Sequence, residues 1–185
     1  MVDRLLSLYP DSSNEKPVLL DPPIHSIRDL HLHRRIESVF GDLELNAAQR
    51  LLCGAYSRSS TCYSFRFDAA SSENLDPREG VVHGNEIGPV FQNFGGLGYR
   101  RNPFEGKGDG YYDMSRLIGL MWAGFITKLD PNAAVTGYGV SWPPYGAGRP
   151  QNIVFSESGP KLEQDTYRGE AMSYVNKIQH SVLDM

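Results

Sequence analysis

One stretch governs what this chain can become. Thr61-Cys62-Tyr63-Ser64-Phe65-Arg66-Phe67-Asp68 sets the aromatic rings Tyr63, Phe65 and Phe67 in alternation with Ser64, Arg66 and Asp68. Period-two alternation of aromatics is the pattern of a β-strand with one buried face. A strand needs neighbours, because its backbone N–H and C=O groups are costly to bury unpaired. The rest of the sequence offers one further short apolar run, Ile153-Val154-Phe155 within Gln151 to Ser156. The expected class is therefore α/β, an incomplete sheet with flanking helices and long loops. It has too few strands to close, and its central strand lacks partners on both edges.

Helical spacing accounts for most of the remainder. From about His33, Ile36, Val39, Phe40 and Leu43 recur every three or four residues, and Ala48, Leu51, Leu52 and Ala55 repeat the pattern. Gly41-Asp42 is expected to divide them into two helices, with Asp42 as N-cap of the second. Tyr111 to Leu129 reads as an amphipathic helix with Leu117, Ile118, Met121, Trp122 and Phe125 on one side, stopped by Asp130-Pro131-Asn132. Asp165 to about Val182 reads as a last helix, with Tyr167, Ala171, Tyr174, Val175, Ile178 and Val182 on its apolar side. Asp11 to Pro23, Ala69 to Glu79, the glycine-rich Asn93 to Gly110 and Val135 to Pro150 read as loops.

Composition narrows the class of function. With 185 residues, 40% hydrophobic and 22% charged, the chain suits one folded domain or a piece of a larger one rather than a disordered polymer. The net charge of −4 comes without a basic stripe, which argues against nucleic acid as a partner. No apolar run approaches the roughly 18 residues of a membrane span, and the segment from Met1 to Pro10 lacks a signal-peptide core. Cys53 and Cys62 read either as two small buried apolar groups or as a disulfide. Nothing has zinc spacing. His31-Leu32-His33 places two imidazoles at i and i+2, which diverge on a helix, so these two, like His25 and His180, read as solvated.

His83 is the residue with chemical promise. It stands in Gly80-Val81-Val82-His83-Gly84-Asn85-Glu86-Ile87, where small neighbours allow a sharp turn and leave the imidazole reachable. Histidine titrates near neutral pH and can take a proton from a hydroxyl and return it to a leaving group. One loop histidine by itself is a weak indication.

The residues around it add more. The run from Gly80 to Ile87, continued by Val90-Phe91, resembles the histidine motif of the type-B carboxylesterase and lipase family, Gly-x-x-His-Gly-x-Glu-Ile-x-x-Val-Phe, at every fixed position. Four flanking segments resemble that family in order: Arg34-Arg35 with Phe40-Gly41-Asp42, Tyr63 to Asp68, Trp122-Ala123-Gly124-Phe125 with Asp130-Pro131-Asn132, and Trp142-Pro143-Pro144-Tyr145. The family includes the cholinesterases and fungal lipases, and the likeness is to the fungal type. It implies an α/β-hydrolase fold and hydrolysis of small-molecule esters or lipids through a Ser-Glu-His triad, without cofactor or metal. By that resemblance His83 is the general base. Glu86 is either a carboxylate that hydrogen-bonds within the loop and holds its shape or a surface group. Trp122 and Phe125 are core packing rather than substrate contacts. Family members are often secreted.

The departures are equally informative. No Gly-x-Ser-x-Gly and no HGGG-type oxyanion loop occurs in these residues. Ser141 has Pro143 where the last glycine belongs, and Ser158 has the wrong spacing. The family's acid lies farther upstream of the histidine than this chain reaches, and neither Glu37 nor Glu44 stands in its motif. The expectation is that residues 1–185 form the C-terminal segment of a type-B carboxylesterase domain whose nucleophile-bearing part is missing. Two readings follow: an ester hydrolase to which this chain supplies only the histidine, or an inactive truncated product, at most an interaction module.

Overall fold

The computed structural model describes residues 1–9, 27–74, 80–146 and 148–183, with side chains described outside 27–31 and 180–183. The expected loop from Asp11 to Pro23, His25 and the side chains of His31, His180 and Val182 lie outside the described residues. The chain forms two compact units. The first comprises Met1–Cys62, Gly146–Pro150 and Asp165–Met185, the second Tyr63–Tyr145 and Gln151–Gln164.

The first unit is helical: α1 (Val2–Leu8), α2 (Ile27–Gly41), a π-helical turn (Asp42–Asn46), α3 (Ala47–Tyr56) and, at the far end of the sequence, α6 (Gly169–Leu183). Ala47, Met172 and Val175 form its small core, with Leu5 and Leu43 packed against them. The expected break at Gly41-Asp42 is corrected here. Gly41 keeps helical angles and the backbone runs on through the π turn into α3. Asp42 makes no side-chain cap. It is 0% exposed, and its carboxylate is met by three interior donors instead of backbone amides. Tyr9 Oη donates to Oδ2 at 2.8 Å, Arg168 Nη2 to Oδ1 at 2.7 Å, and Asn46 Nδ2 to Oδ1 at 3.0 Å. Burial first, and then the bond to Asp42, push the Tyr9 phenol well above its ordinary value. A second pair, Arg50 to Asp165, is bidentate, and Arg50 Nη1 also donates to Tyr167 O at 2.8 Å. Arg168 has φ +47°, outside the helical region, so α6 begins at Gly169 rather than at Asp165.

The helical spacing read from about His33 to Ala55 is realised in α2, the π turn and α3. Leu43 does pack inward, but Ile36, Phe40, Leu51 and Leu52 are exposed. Hydrophobic periodicity marks a face that excludes water; it does not say which segment covers it.

The second unit carries the sheet. Strand β1 (Phe65–Asp68) pairs in parallel with β2 (Gln151–Ser156), Phe65 opposite Ile153 and Phe67 opposite Phe155. Strand β2 pairs antiparallel with β3 (Lys161–Gln164), Gln151 opposite Gln164. The order β1-β2-β3 makes β2 central. The expected lone strand is therefore corrected: among the described residues β1 is an edge strand paired with β2. Strand β3 escaped the sequence reading because Lys-Leu-Glu-Gln has neither alternation nor β-branched residues. Its register comes from the turn at Gly159, whose N–H returns to Ser156 O at 3.0 Å.

Helix α5 (Asp109–Lys128) buries Tyr111, Met114, Ser115, Leu117, Ile118 and Met121, a stripe with the i, i+3, i+4, i+7 spacing that helical amphipathicity requires. Its first turn comes so close to the turn after β2 that a Cβ on Gly110 would lie 2.2 Å from Glu157 O. It ends where the sequence indicated, with Leu129 in the left-handed region and its N–H on Phe125 O. Phe65, Trp122, Trp142 and Phe155 pack edge-on or tilted, with centroids 5.0 to 6.2 Å apart. Trp122 is thus a packing residue. Phe125 is 42% exposed and packs edge-on against Tyr63, which in turn packs against Trp142.

Two substitutions test these cores. Phe155→Ala is expected to destabilise the second unit by about 3–5 kcal/mol in guanidinium unfolding, whereas Leu162→Ala on the exposed edge should change it by under about 1 kcal/mol. Asp42→Ala leaves the Arg168 guanidinium without its buried counter-ion and should cost roughly 3 kcal/mol, read on the helical signal.

Candidate active-site loop

The His83 loop runs from Gly80 to Phe91 and ends in the short helix α4 (Ile87–Val90). Two glycines shape it. Gly80 has φ +64° and Gly84 φ +91°, conformations that a side chain resists. Between them the chain turns tightly: Asn85 N–H donates to Val82 O at 3.2 Å and Ile87 N–H to Gly84 O at 3.0 Å. His83 is exposed at the crest. Among the described residues none hydrogen-bonds to its imidazole.

The turn is held from beneath by Asn85, which is 2% exposed. Its Oδ1 accepts from Val82 N at 3.1 Å and from Asn74 Nδ2 at 3.2 Å. Its Nδ2 donates to Asn74 Oδ1 at 3.0 Å and to Glu73 Oε1 at 3.3 Å. Asn74 Nδ2 also donates to Gly80 O at 2.6 Å. Two carboxamides thus face each other and tie the start of the loop to the turn at Ser72-Glu73. A carboxamide offers two donors and two acceptor lone pairs, and at Asn85 all four are used. The far end is anchored by Ser115 of α5, whose Oγ donates to Pro89 O at 2.8 Å.

Glu86 precedes α4 without capping it by its side chain, while its backbone oxygen accepts Val90 N–H at 2.8 Å. Its charge is felt nearby. The Tyr99 phenol is raised above its ordinary value by burial first, then by the carboxylates of Glu73 and Glu86. The two serines outside a nucleophile motif are engaged elsewhere, Ser141 with Asn132 at 3.3 Å and Ser158 with Ser156 at 3.0 Å. Among the described residues no group of three or more His, Cys, Asp or Glu is placed to hold a metal ion. His33 pairs with Glu37 on one face of α2 at 3.1 Å. No described helix is long and apolar enough to cross a membrane.

Asn74 and Asn85 were not singled out by the sequence reading. Asn85 occupies a variable position of the motif, and a side chain that bonds the backbone three residues earlier leaves no periodic trace. The available signal was only the affinity of asparagine for turns.

A sequence model of the carboxylesterase family matches residues 25–174, which takes in the loop, the sheet and most of the helices. The chain belongs to the carboxylesterase family. No curated protein matches it. Members of this family hydrolyse small-molecule carboxylic esters on an α/β-hydrolase fold, and a three-stranded mixed sheet with flanking helices agrees with part of such a domain.

Replacing Asn85 by leucine, similar in size but without polar atoms, is expected to destabilise the second unit by roughly 1–3 kcal/mol, since Val82 N–H and Asn74 Oδ1 lose their partner while Asn74 Nδ2 keeps only Gly80 O. Gly84→Ala should cost about 1–2 kcal/mol through its positive φ, although space for the methyl exists. Chemical denaturation followed by tryptophan fluorescence measures both.

Proposed function

We propose that this chain is the C-terminal segment of a fungal-type, type-B carboxylesterase or lipase domain and that His83 is its general base. The serine nucleophile and the acid would come from segments outside these 185 residues. The observation that carries the reading is an exposed histidine on a glycine-flanked turn fixed from below by the buried Asn85 and its half-buried partner Asn74, within the matched region of an ester-hydrolase family. A base must be reachable by the nucleophile and held in one orientation. A rigid turn with a solvent-facing imidazole supports both requirements.

In the intact enzyme the serine hydroxyl attacks the ester carbonyl and passes its proton to His83. A glutamate orients the imidazole, backbone amides hold the oxyanion, and the histidinium protonates the departing alcohol. Water then repeats the cycle on the acyl-enzyme. Glu86 takes a positioning role in the loop, through its backbone oxygen and its charge, and makes no contact with substrate. The exposed Val81, Ile87 and Phe91 of the same loop suit an apolar acyl or alcohol group.

A second reading has its own support. The chain lacks Gly-x-Ser-x-Gly, and Ile36 and Phe40 of α2 and Leu51 and Leu52 of α3 are exposed, as an inactive interaction module would have them. Both readings agree that the 185-residue chain alone gives no p-nitrophenyl ester turnover above buffer. Turnover removed by a serine-directed phosphonate would sink both. The two separate when the upstream coding region is attached. The hydrolase reading expects activity that His83→Ala lowers at least about 10⁴-fold with the fold intact. An inactive product, or activity that survives His83→Ala, overturns it.

A further inference from the structure

Two nucleophiles of the first unit take no part in this chemistry. Cys53 lies in the last turn of α3 and is buried; Cys62 lies beyond the turn that follows and is half-buried. Both are thiols. The intervening chain is folded back by its own backbone: Ser57 N–H donates to Cys53 O at 3.0 Å, and the N–H groups of Ser59 and Ser60 converge on Tyr56 O at 3.0 and 2.8 Å. This reversal returns Cys62 to the helix end, where its Sγ lies 3.2 Å from Cys53 Sγ.

We propose that Cys53 and Cys62 form a site of reversible oxidation, converted to an intramolecular disulfide by a low-molecular-weight disulfide such as glutathione disulfide. A disulfide needs its sulfurs about 2 Å apart, so closure asks for roughly 1 Å of approach. The chemistry balances without any other reagent. The Cys62 thiolate, the more accessible of the two, attacks one sulfur of glutathione disulfide and expels a glutathione thiolate. The Cys53 thiol then gives up its proton and attacks Cys62 Sγ, expelling the second glutathione. Two protein thiols are oxidised, one glutathione disulfide is reduced to two glutathiones, and the two thiol protons end on them. The product fastens the end of α3 to the residue immediately before Tyr63. This proposal stands independently of the catalytic role given to His83.

The test is equilibration of the reduced chain across a glutathione redox series, acid quenching, alkylation and mass analysis, in native buffer and in urea. Trypsin cuts after Arg50, Arg58 and Arg66, so the oxidised chain yields peptide 51–58 joined to peptide 59–66. The expected product is a monomer two hydrogens lighter and resistant to alkylation at both cysteines. Because the fold holds the sulfurs together, half-oxidation should need a glutathione disulfide fraction at least about tenfold lower in native buffer than in urea. Cys53→Ser should instead trap a stable glutathione adduct on Cys62. Equal midpoints with and without urea overturn the proposal. So does a wild-type chain that keeps glutathione adducts at every ratio, or that links only between molecules.

Discussion

Strand β2 is buried at every residue from Asn152 to Ser156, so no water can serve its peptide groups. Strand β1 pairs with it on one side, in parallel, and β3 on the other, antiparallel as far as Val154, while Ser156 O accepts Gly159 N–H. The rest of the second unit follows from this. Parallel neighbours cannot be joined by a hairpin; they need a long crossover. The chain from Ala69 to Pro150 is that crossover, and it holds α5, the His83 loop and the Trp142 segment. Helix α5 covers the sheet with its apolar stripe, and Phe155 and Trp142 close the space between them. The loop that carries the histidine is therefore not an appendage. It is part of the connection that parallel pairing demands.

With so little regular sheet, the long connections need another source of backbone partners. Asparagine side chains supply it. Asn93 bonds both the N–H and the C=O of Leu97, Asn102 bridges Phe94 O and Phe104 N, and Asn132 bonds both the N–H and the C=O of Trp142. Asn74 and Asn85 do the same beneath His83. A carboxamide mimics a peptide unit, with a donor and an acceptor side by side, so it can complete a turn where no strand is available. The result is an irregular surface whose turns are held by side chains rather than by strands.

The first unit solves a different problem by charge. Its apolar core is small, and two ion pairs, Asp42 with Arg168 and Arg50 with Asp165, join the segments around it. A buried carboxylate is tolerable only when its lone pairs are met, and at Asp42 a phenol, a carboxamide and a guanidinium meet them. The π turn at Asp42–Asn46 sits where this network forms. Composition made Asp42 look like a helix cap because aspartate seeks donors. The tertiary structure supplied the donors from Tyr9 and Arg168, far away in the chain.

By itself the sequence determined the features that rest on local periodicity and on motif. It marked the strand around Phe65 and Phe67, the strand at Ile153 to Phe155, the stripe and the stop of α5, and the carboxylesterase motif that singles out His83. These are legible because alternation and helical spacing are properties of consecutive residues. Tertiary structure alone decided that β1 is an edge and β2 the centre, that Lys161–Gln164 completes the sheet, that Asp42 is an interior counter-ion, and that Asn74 and Asn85 hold the histidine's turn. Each of these depends on partners distant in the chain or on side chains that bond across a turn. Such contacts are set by what the whole fold brings together, and no pattern of neighbouring residues encodes them.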